Sequence, residues 1–166
     1  MSTRFLLEIA LIFGWTLLGV ALSADKPDYS GTWALDKERS FINPPGFDQT
    51  MKVTQNGDVV RLEGKQTTSR GESAISELYT LDGKEVDFSP ATGPAGAKGK
   101  RKAFWLVDGR SFVVNDTIIT ESASETTTQQ VIRKWRLTSD GTLTIDYYFD
   151  GPRGQGESKR VFMRKP

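Results

Sequence analysis

The 166-residue sequence contains no cysteine and no histidine, and these two absences exclude most familiar site chemistries. Without cysteine the chain forms no disulfide, and no leader in it ends at a lipid-modified cysteine. Without histidine, a histidine zinc site, a Ser-His-Asp triad and a Cys-His pair are impossible. The formal net charge of +1 provides no global field to attract a polyanion. We therefore predict no metal, no cofactor and no nucleic-acid partner.

Paired carboxylates remain as a route to catalysis, because burial can tune the acidity of such groups. The candidate pairs are Glu72 with Glu77 and Asp146 with Asp150. Nothing in their spacing distinguishes them from surface acids. We predict that the protein is not an enzyme, and a hydrolase or isomerase using two buried acids is the weaker alternative.

The first 24 residues have the features of a targeting segment. Arg4 supplies the positive start, a mostly apolar stretch follows, and small residues at 21–24 suit a cleavage site. The clean apolar run from Ile9 to Ala24 has 16 residues, whereas a membrane span needs about 20. We predict a helical, cleaved signal peptide over residues 1–24, export to the periplasm or medium, and a mature domain at 25–166 without a membrane span. An uncleaved membrane anchor is the alternative.

Long helical patterns are also missing, since no stretch after residue 25 keeps a 3.6-residue apolar period. Short runs that alternate apolar and polar residues take their place, which is typical of half-buried strands. The predicted strands cover residues 30–35, 50–55, 59–67, 74–81, 85–88, 101–107, 111–120, 127–138, 142–149 and 157–164.

Turn dipeptides separate many of these runs and favour tight hairpins. They are Asn56-Gly57, Asp82-Gly83, Asp108-Gly109, Asp140-Gly141 and Asp150-Gly151. A meander of antiparallel strands leaves two exposed edges unless the sheet closes on itself. We therefore predict an all-β fold, a single antiparallel up-and-down β-barrel of about 8–10 strands. A two-sheet sandwich is the alternative.

Both ends of the domain resemble the lipocalin and fatty-acid-binding group, the calycins. Residues 29–35, Tyr-Ser-Gly-Thr-Trp-Ala-Leu, match its first-strand signature of an aromatic, Gly-x-Trp and an apolar residue. Residues 159–164, Lys-Arg-Val-Phe-Met-Arg, look like the closing strand of fatty-acid-binding proteins, where Arg-x-Tyr or Arg-x-Phe points inward. The helix-turn-helix lid of that family is missing, because only residues 36–49 follow the first strand and Asn-Pro-Pro-Gly at 43–46 forbids a helix.

The resemblance implies a structural role for Trp33 at the base of the barrel. In the family this ring plugs one end, and an arginine of the last strand stacks across it. Arg164 and Arg160 are the two candidates for that arginine.

The resemblance also implies that Arg160, on the same face as Phe162, grips an acidic ligand. Arg133 is a second candidate, but its strand carries a cation on either face, so its direction stays open. For both arginines the alternative is a surface position or an internal salt bridge, for example with Glu77 or Asp146.

We expect a small hydrophobic, possibly acidic, ligand held without chemistry by a monomeric barrel. The expected ligand-binding residues are Arg160, Phe162, Arg133, Trp135, Tyr147, Phe149 and Phe104. The rival hypothesis is an interaction module whose barrel is filled by its own side chains. That module would present the loops at 41–48 and 89–100 to a partner protein or envelope component.

Overall fold

The computed structural model describes residues 26–43, 45–90, 97–122, 125–152 and 154–166. The predicted signal helix and its cleavage site lie outside the described residues. The strands are β1 (Gly31–Phe41), β2 (Asp48–Asn56), β3 (Val59–Thr68), β4 (Gly71–Thr80), β5 (Asp82–Phe88), β6 (Lys98–Trp105), β7 (Ser111–Glu121), β8 (Thr126–Leu137), β9 (Leu143–Gly151) and β10 (Gly154–Arg164). Over these ranges the chain has no helix of the length and hydropathy that crossing a membrane requires.

The ten strands form one antiparallel sheet in the order β4-β3-β2-β1-β10-β9-β8-β7-β6-β5. Each strand pairs with its neighbour in sequence except at one place, and β1 also pairs with β10. The exception lies between β4 and β5, whose facing edges form no ladder in this sheet. The result is a nearly closed up-and-down barrel with one seam, which confirms the predicted fold and excludes the sandwich.

Two of the five predicted hairpin dipeptides have other roles. Asp82-Gly83 opens β5 at the corner with β4, and the register of β5 against β6 shifts between Asp82 and Glu85. This dipeptide therefore starts the seam, because the strands it was expected to join do not pair. At the β9–β10 turn the positive φ of 106° belongs to Gly154, and β9 continues through Gly151.

An aromatic cluster fills the base of the barrel. Tyr29, Trp33, Phe112 and Trp135 are each at most 1% exposed. Phe112 stacks on Trp135 with ring centroids 5.2 Å apart, and Tyr29 meets Phe112 edge-on at 5.0 Å. Burial of rings of this size dominates the energy of a small core. We call this group the aromatic plug.

Trp33 lies at the outer end of the aromatic plug, where Arg164 covers it. The guanidinium carbon of Arg164 is 4.6 Å from the ring centroid of Trp33, and its Nη1 donates to the carbonyl of Ser30 at 2.8 Å. The Trp33 indole donates to the carbonyl of Tyr29 at 3.0 Å. Of the two arginines considered for this position, Arg164 occupies it.

Candidate functional site

Beyond the aromatic plug the barrel contains a cavity of about 910 Å³. Strand β3 runs from the core to the cavity. Val60 and Leu62, near its start, pack in the core, and Gln66, further along the strand, lines the cavity. Its apolar wall includes Tyr147 and Phe149. A volume of this size is within the range of small-molecule sites, roughly 300–1,000 Å³. The interior is therefore filled at one end and open to a guest at the other.

Four charged side chains form a ring of ion pairs in the cavity wall. Arg101 donates from Nε to Asp116 Oδ1 at 2.7 Å and from Nη2 to Glu77 Oε2 at 2.9 Å. Arg133 donates from Nη1 to Glu77 Oε2 at 2.8 Å and from Nη2 to Asp116. Each arginine thus contacts both carboxylates. We call these four residues the charge ring.

The members of the charge ring differ in their exposure to the cavity. The side chains of Arg101, Arg133 and Asp116 are 8%, 7% and 5% exposed, whereas that of Glu77 is 24% exposed. Burying unpaired ions would be prohibitive, so the two charges of each sign are needed to neutralise one another. All four members line the cavity, and Glu77 is the most exposed of them.

Electrostatics within the charge ring favour the charged forms of Glu77 and Arg133. Burial favours the neutral acid, but the charges of Arg133 and Arg101 and a hydrogen bond from Tyr79 hold the pKa of Glu77 below its ordinary value. Burial likewise opposes the charge of Arg133, yet the negative groups around it raise its pKa. Tyr79 donates its hydroxyl to Glu77 Oε2 at 2.9 Å, and burial raises the pKa of this phenol.

Arg160 lies in the same cavity but has a different environment. Its guanidinium is sandwiched between the rings of Phe47 and Tyr147, 3.8 Å from each centroid. Nη1 makes a long hydrogen bond of 3.4 Å to Gln49, and the buried Nε has no partner. Among the described residues no carboxylate comes within 4.0 Å of it. Nη2 makes no hydrogen bond to any described residue, so Arg160 has one terminal donor group available to a guest.

The structure brings four of the predicted ligand-binding residues together in the cavity wall, and they are Arg133, Tyr147, Phe149 and Arg160. Arg133 faces inward, but its guanidinium is already held by the charge ring. Phe162 and Trp135 are fully buried in the core below the cavity and do not line it.

Phe104 also does not line the cavity, because β6 presents Ala103 to the interior in its place. Ala103 is 2% exposed, and its neighbours Arg101 and Trp105 on alternate positions share its face. Phe104 lies on the other face beside Lys102, whose Nζ is 5.9 Å from its ring centroid.

Sequence reasoning did not identify Arg101, Asp116, Phe47 and Gln49 as site residues. A signal for Asp116 was present, because it interrupts the apolar alternation Phe112, Val114, Ile118 on β7. A charged residue on an otherwise apolar strand face must be paired inside the fold. Phe47 gave no such signal, since it lies in the segment before β2, and Gln49 gave none, since it is an uncharged polar residue at the start of that strand.

The carboxylate pairs considered for catalysis are not brought together as bare acids. Glu72 is exposed and pairs with Lys65 at 2.9 Å, while Asp146 accepts from Arg136 at 2.7 Å. Glu77 is in the charge ring, away from Glu72. Within the described part of the chain, no three acidic side chains are grouped so that they could hold a metal ion.

The cavity is not confined to the inner face of the sheet at the seam between β4 and β5. Ser76 and Leu78 belong to the outer face of β4, yet they line the same cavity as the inward Glu77. On β5, Val86 pairs with the inward Arg101 but is 51% exposed. The cavity therefore extends through the seam to the outside.

Comparisons with known proteins identify the fold. No family model matches the sequence, and no curated protein matches it either. Among solved structures, human cRBP IV, a cellular retinol-binding protein, is similar with a TM-score of 0.50 and 19% identity over 84% of this chain and 99% of that chain. The REP1-NXSQ fatty acid transporter has a TM-score of 0.49 and 18% identity over 82% of this chain and 96% of that one.

The similarity to human cRBP IV, together with the strand order, shows that the chain has the fold of a ten-stranded antiparallel β-barrel of the calycin type. The resemblance stated from the two ends of the sequence is confirmed at the level of fold. Among the residues described, the 36–49 segment carries no helix, so the lid expected to be missing is replaced by strand and loop.

Proposed function

We propose that the protein is an exported, monomeric carrier that binds a small amphiphile with an acidic head group and carries out no chemistry on it. The observation that supports this is Arg160, a half-buried arginine in the wall of a 910 Å³ cavity, which has aromatic rings on both faces and an Nη2 group that no described residue accepts from. A carboxylate matches the forked donors of a guanidinium. The neighbours named for fatty acid transport and retinol binding agree with a lipophilic guest.

Affinity and choice of head group come from different parts of the cavity. Each CH₂ removed from water contributes about 0.8 kcal/mol, so an aliphatic chain against Ile118, Val131 and Phe149 supplies most of the binding energy. A charge-assisted hydrogen bond adds about 1.5–3 kcal/mol and selects an acid over a neutral lipid. The carrier therefore needs only burial and one cation.

The test compares dodecanoate with dodecanol as competitors for a fluorescent fatty acid in the purified protein. Arg160→Gln is expected to weaken dodecanoate roughly 10- to 100-fold and to leave dodecanol unchanged. Arg61→Gln removes the same charge from an exposed position on the outer face of β3 and serves as the matched control. Equal effects of the two substitutions, or no binding by the wild type, would contradict the proposal.

Export is tested separately, since nothing in the cavity bears on it. The full chain is expressed in a bacterial host, and the intact mass of the protein recovered from periplasm or medium is measured. The proposal expects the mass of residues 25–166 and a monomer in solution by light scattering. Retention of the whole chain in the membrane fraction would contradict it.

A further inference from the structure

The charges in the cavity wall determine what kind of acidic head group the cavity accepts. Five charged residues of the cavity wall are buried or half-buried, three arginines and two carboxylates, and they are Arg101, Arg133, Arg160, Glu77 and Asp116. The other charged residues of the wall, Arg70, Lys84 and Asp87, are exposed to solvent, which screens their charges. The charge ring is neutral by itself, because both of its arginines bind both of its acids. One positive charge, that of Arg160, is left over.

Arg160 and the charge ring are parts of one polar layer. Tyr147 stacks under the guanidinium of Arg160 and pairs with Arg133 across the β8–β9 ladder. An anion bound at Arg160 therefore lies in the same layer as the charge ring and experiences the combined charge of the ring and Arg160. Glu77 is the more exposed of the two carboxylates in the cavity wall, with 24% of its side chain exposed against 5% for Asp116.

We propose that Glu77 makes the cavity selective for a monoanionic head group, such as a carboxylate, and against a dianionic one, such as a phosphate monoester. This inference depends on the proposed function. A monoanion completes the charge balance of the layer, with three charges of each sign. A dianion leaves one negative charge in excess inside a cavity of low dielectric, where a surplus charge is costly.

The experiment measures displacement of a fluorescent fatty acid by dodecanoate and dodecyl phosphate at pH 8, where the phosphate is a dianion. Wild type is expected to prefer dodecanoate. Glu77→Gln removes one negative charge from the layer and is expected to improve dodecyl phosphate relative to dodecanoate by on the order of tenfold. Glu72→Gln makes the same charge change on an exposed position of the same strand and is expected to leave the ratio unchanged.

The wild-type preference keeps the inference testable if Glu77→Gln folds poorly, and a charge-restoring variant separates the net charge of the layer from any other effect of that substitution. The double variant Glu77→Gln with Arg101→Gln returns the layer to a surplus of one positive charge, and the preference for dodecanoate is expected to return. An unchanged ratio in Glu77→Gln, or a wild type that prefers dodecyl phosphate, overturns the inference while leaving the carrier proposal intact. Failure of both compounds to bind the wild type overturns the carrier proposal.

A separate observation concerns the route into the cavity. The seam between β4 and β5 begins at the corner formed by Leu81, and the facing edges carry the half-exposed apolar side chains of Leu78 and Val86. No backbone ladder has to break for a chain to pass between these edges. The geometry points to this seam as the passage by which the ligand enters and leaves.

Because the chain has no native cysteine, a single cysteine can be placed and alkylated at the seam. Leu78→Cys carrying a bulky maleimide is expected to slow both association and dissociation of the fluorescent fatty acid at least about fivefold, with the dissociation constant unchanged. Tyr148→Cys is the matched control, since Tyr148 and Leu78 are both 48% exposed and Tyr148 lies on β9, across the barrel. Unchanged rates for the alkylated Leu78→Cys variant overturn the seam as the passage.

Discussion

Replacement of Glu77 by glutamine is expected to destabilise the fold substantially, even without a ligand. The substitution leaves two buried arginines facing Asp116 alone. Breaking a buried ion pair from one side costs about 3–5 kcal/mol, and the partial exposure of Glu77 places the loss near the lower value, about 3 kcal/mol. A domain with a total stability of about 5–15 kcal/mol would lose a large share of it. For this chain length the loss corresponds to a decrease in Tm of about 10 °C.

The assay is urea unfolding followed by tryptophan fluorescence, since Trp33 and Trp135 are fully buried. Glu72→Gln, which breaks an exposed pair with Lys65, is expected to cost at most about 1 kcal/mol. The double variant Glu77→Gln with Arg101→Gln is expected to recover part of the loss, because one unpaired cation is removed with the acid. A loss below about 1 kcal/mol in Glu77→Gln would show that the charge ring is not a coupled buried unit.

Three further outcomes follow from the structure. The pKa of Glu77 is held below its ordinary value of 4.5, so the contribution of its ionised carboxylate to folding stability is present above pH 4.5 and is lost as the pH falls through the folded-state pKa. In urea titrations the difference in unfolding free energy between wild type and Glu77→Gln should therefore narrow below pH 4.5. A difference that stays constant with pH would contradict this role of Glu77. Trp33→Ala should cost about 3–5 kcal/mol in the same titration, and retention of wild-type stability would exclude a structural plug. Gly64→Ala places a Cβ 2.2 Å from the carbonyl oxygen of Thr50 and should lower Tm, whereas an unchanged Tm would mean that β2 and β3 can separate at no cost.

Strand positions were accessible from the sequence because period-two alternation and turn dipeptides are local signals. Each of the ten predicted runs overlaps one observed strand. The seam was not accessible, since Asp82-Gly83 has the composition of a hairpin turn whether or not its flanking strands pair. Whether β4 and β5 pair across that corner depends on the number, tilt and stagger of all the strands, which are properties of the whole barrel.

The candidate site was only partly predictable. Arg160 was identified because the closing-strand pattern fixes its face, and the structure places it in the cavity. The charge ring was missed because its members lie on four different strands, so their pairing depends on the register of the whole sheet. Phe104 was predicted to line the cavity, but the alternation of β6 places Ala103 on the inner face and Phe104 on the outer one.

The most direct test of the central claim is a pH titration of dodecanoate labelled with ¹³C at the carboxyl carbon, bound to the wild-type protein and followed by NMR. We expect a separate bound resonance from a carboxyl group whose pKa lies below that of the free acid, because the Arg160 guanidinium favours the ionised carboxylate. This shift is expected to disappear in Arg160→Gln. A bound carboxyl that titrates like the free acid, or the lack of any bound resonance, would contradict the claim that this cavity holds an acidic guest at Arg160.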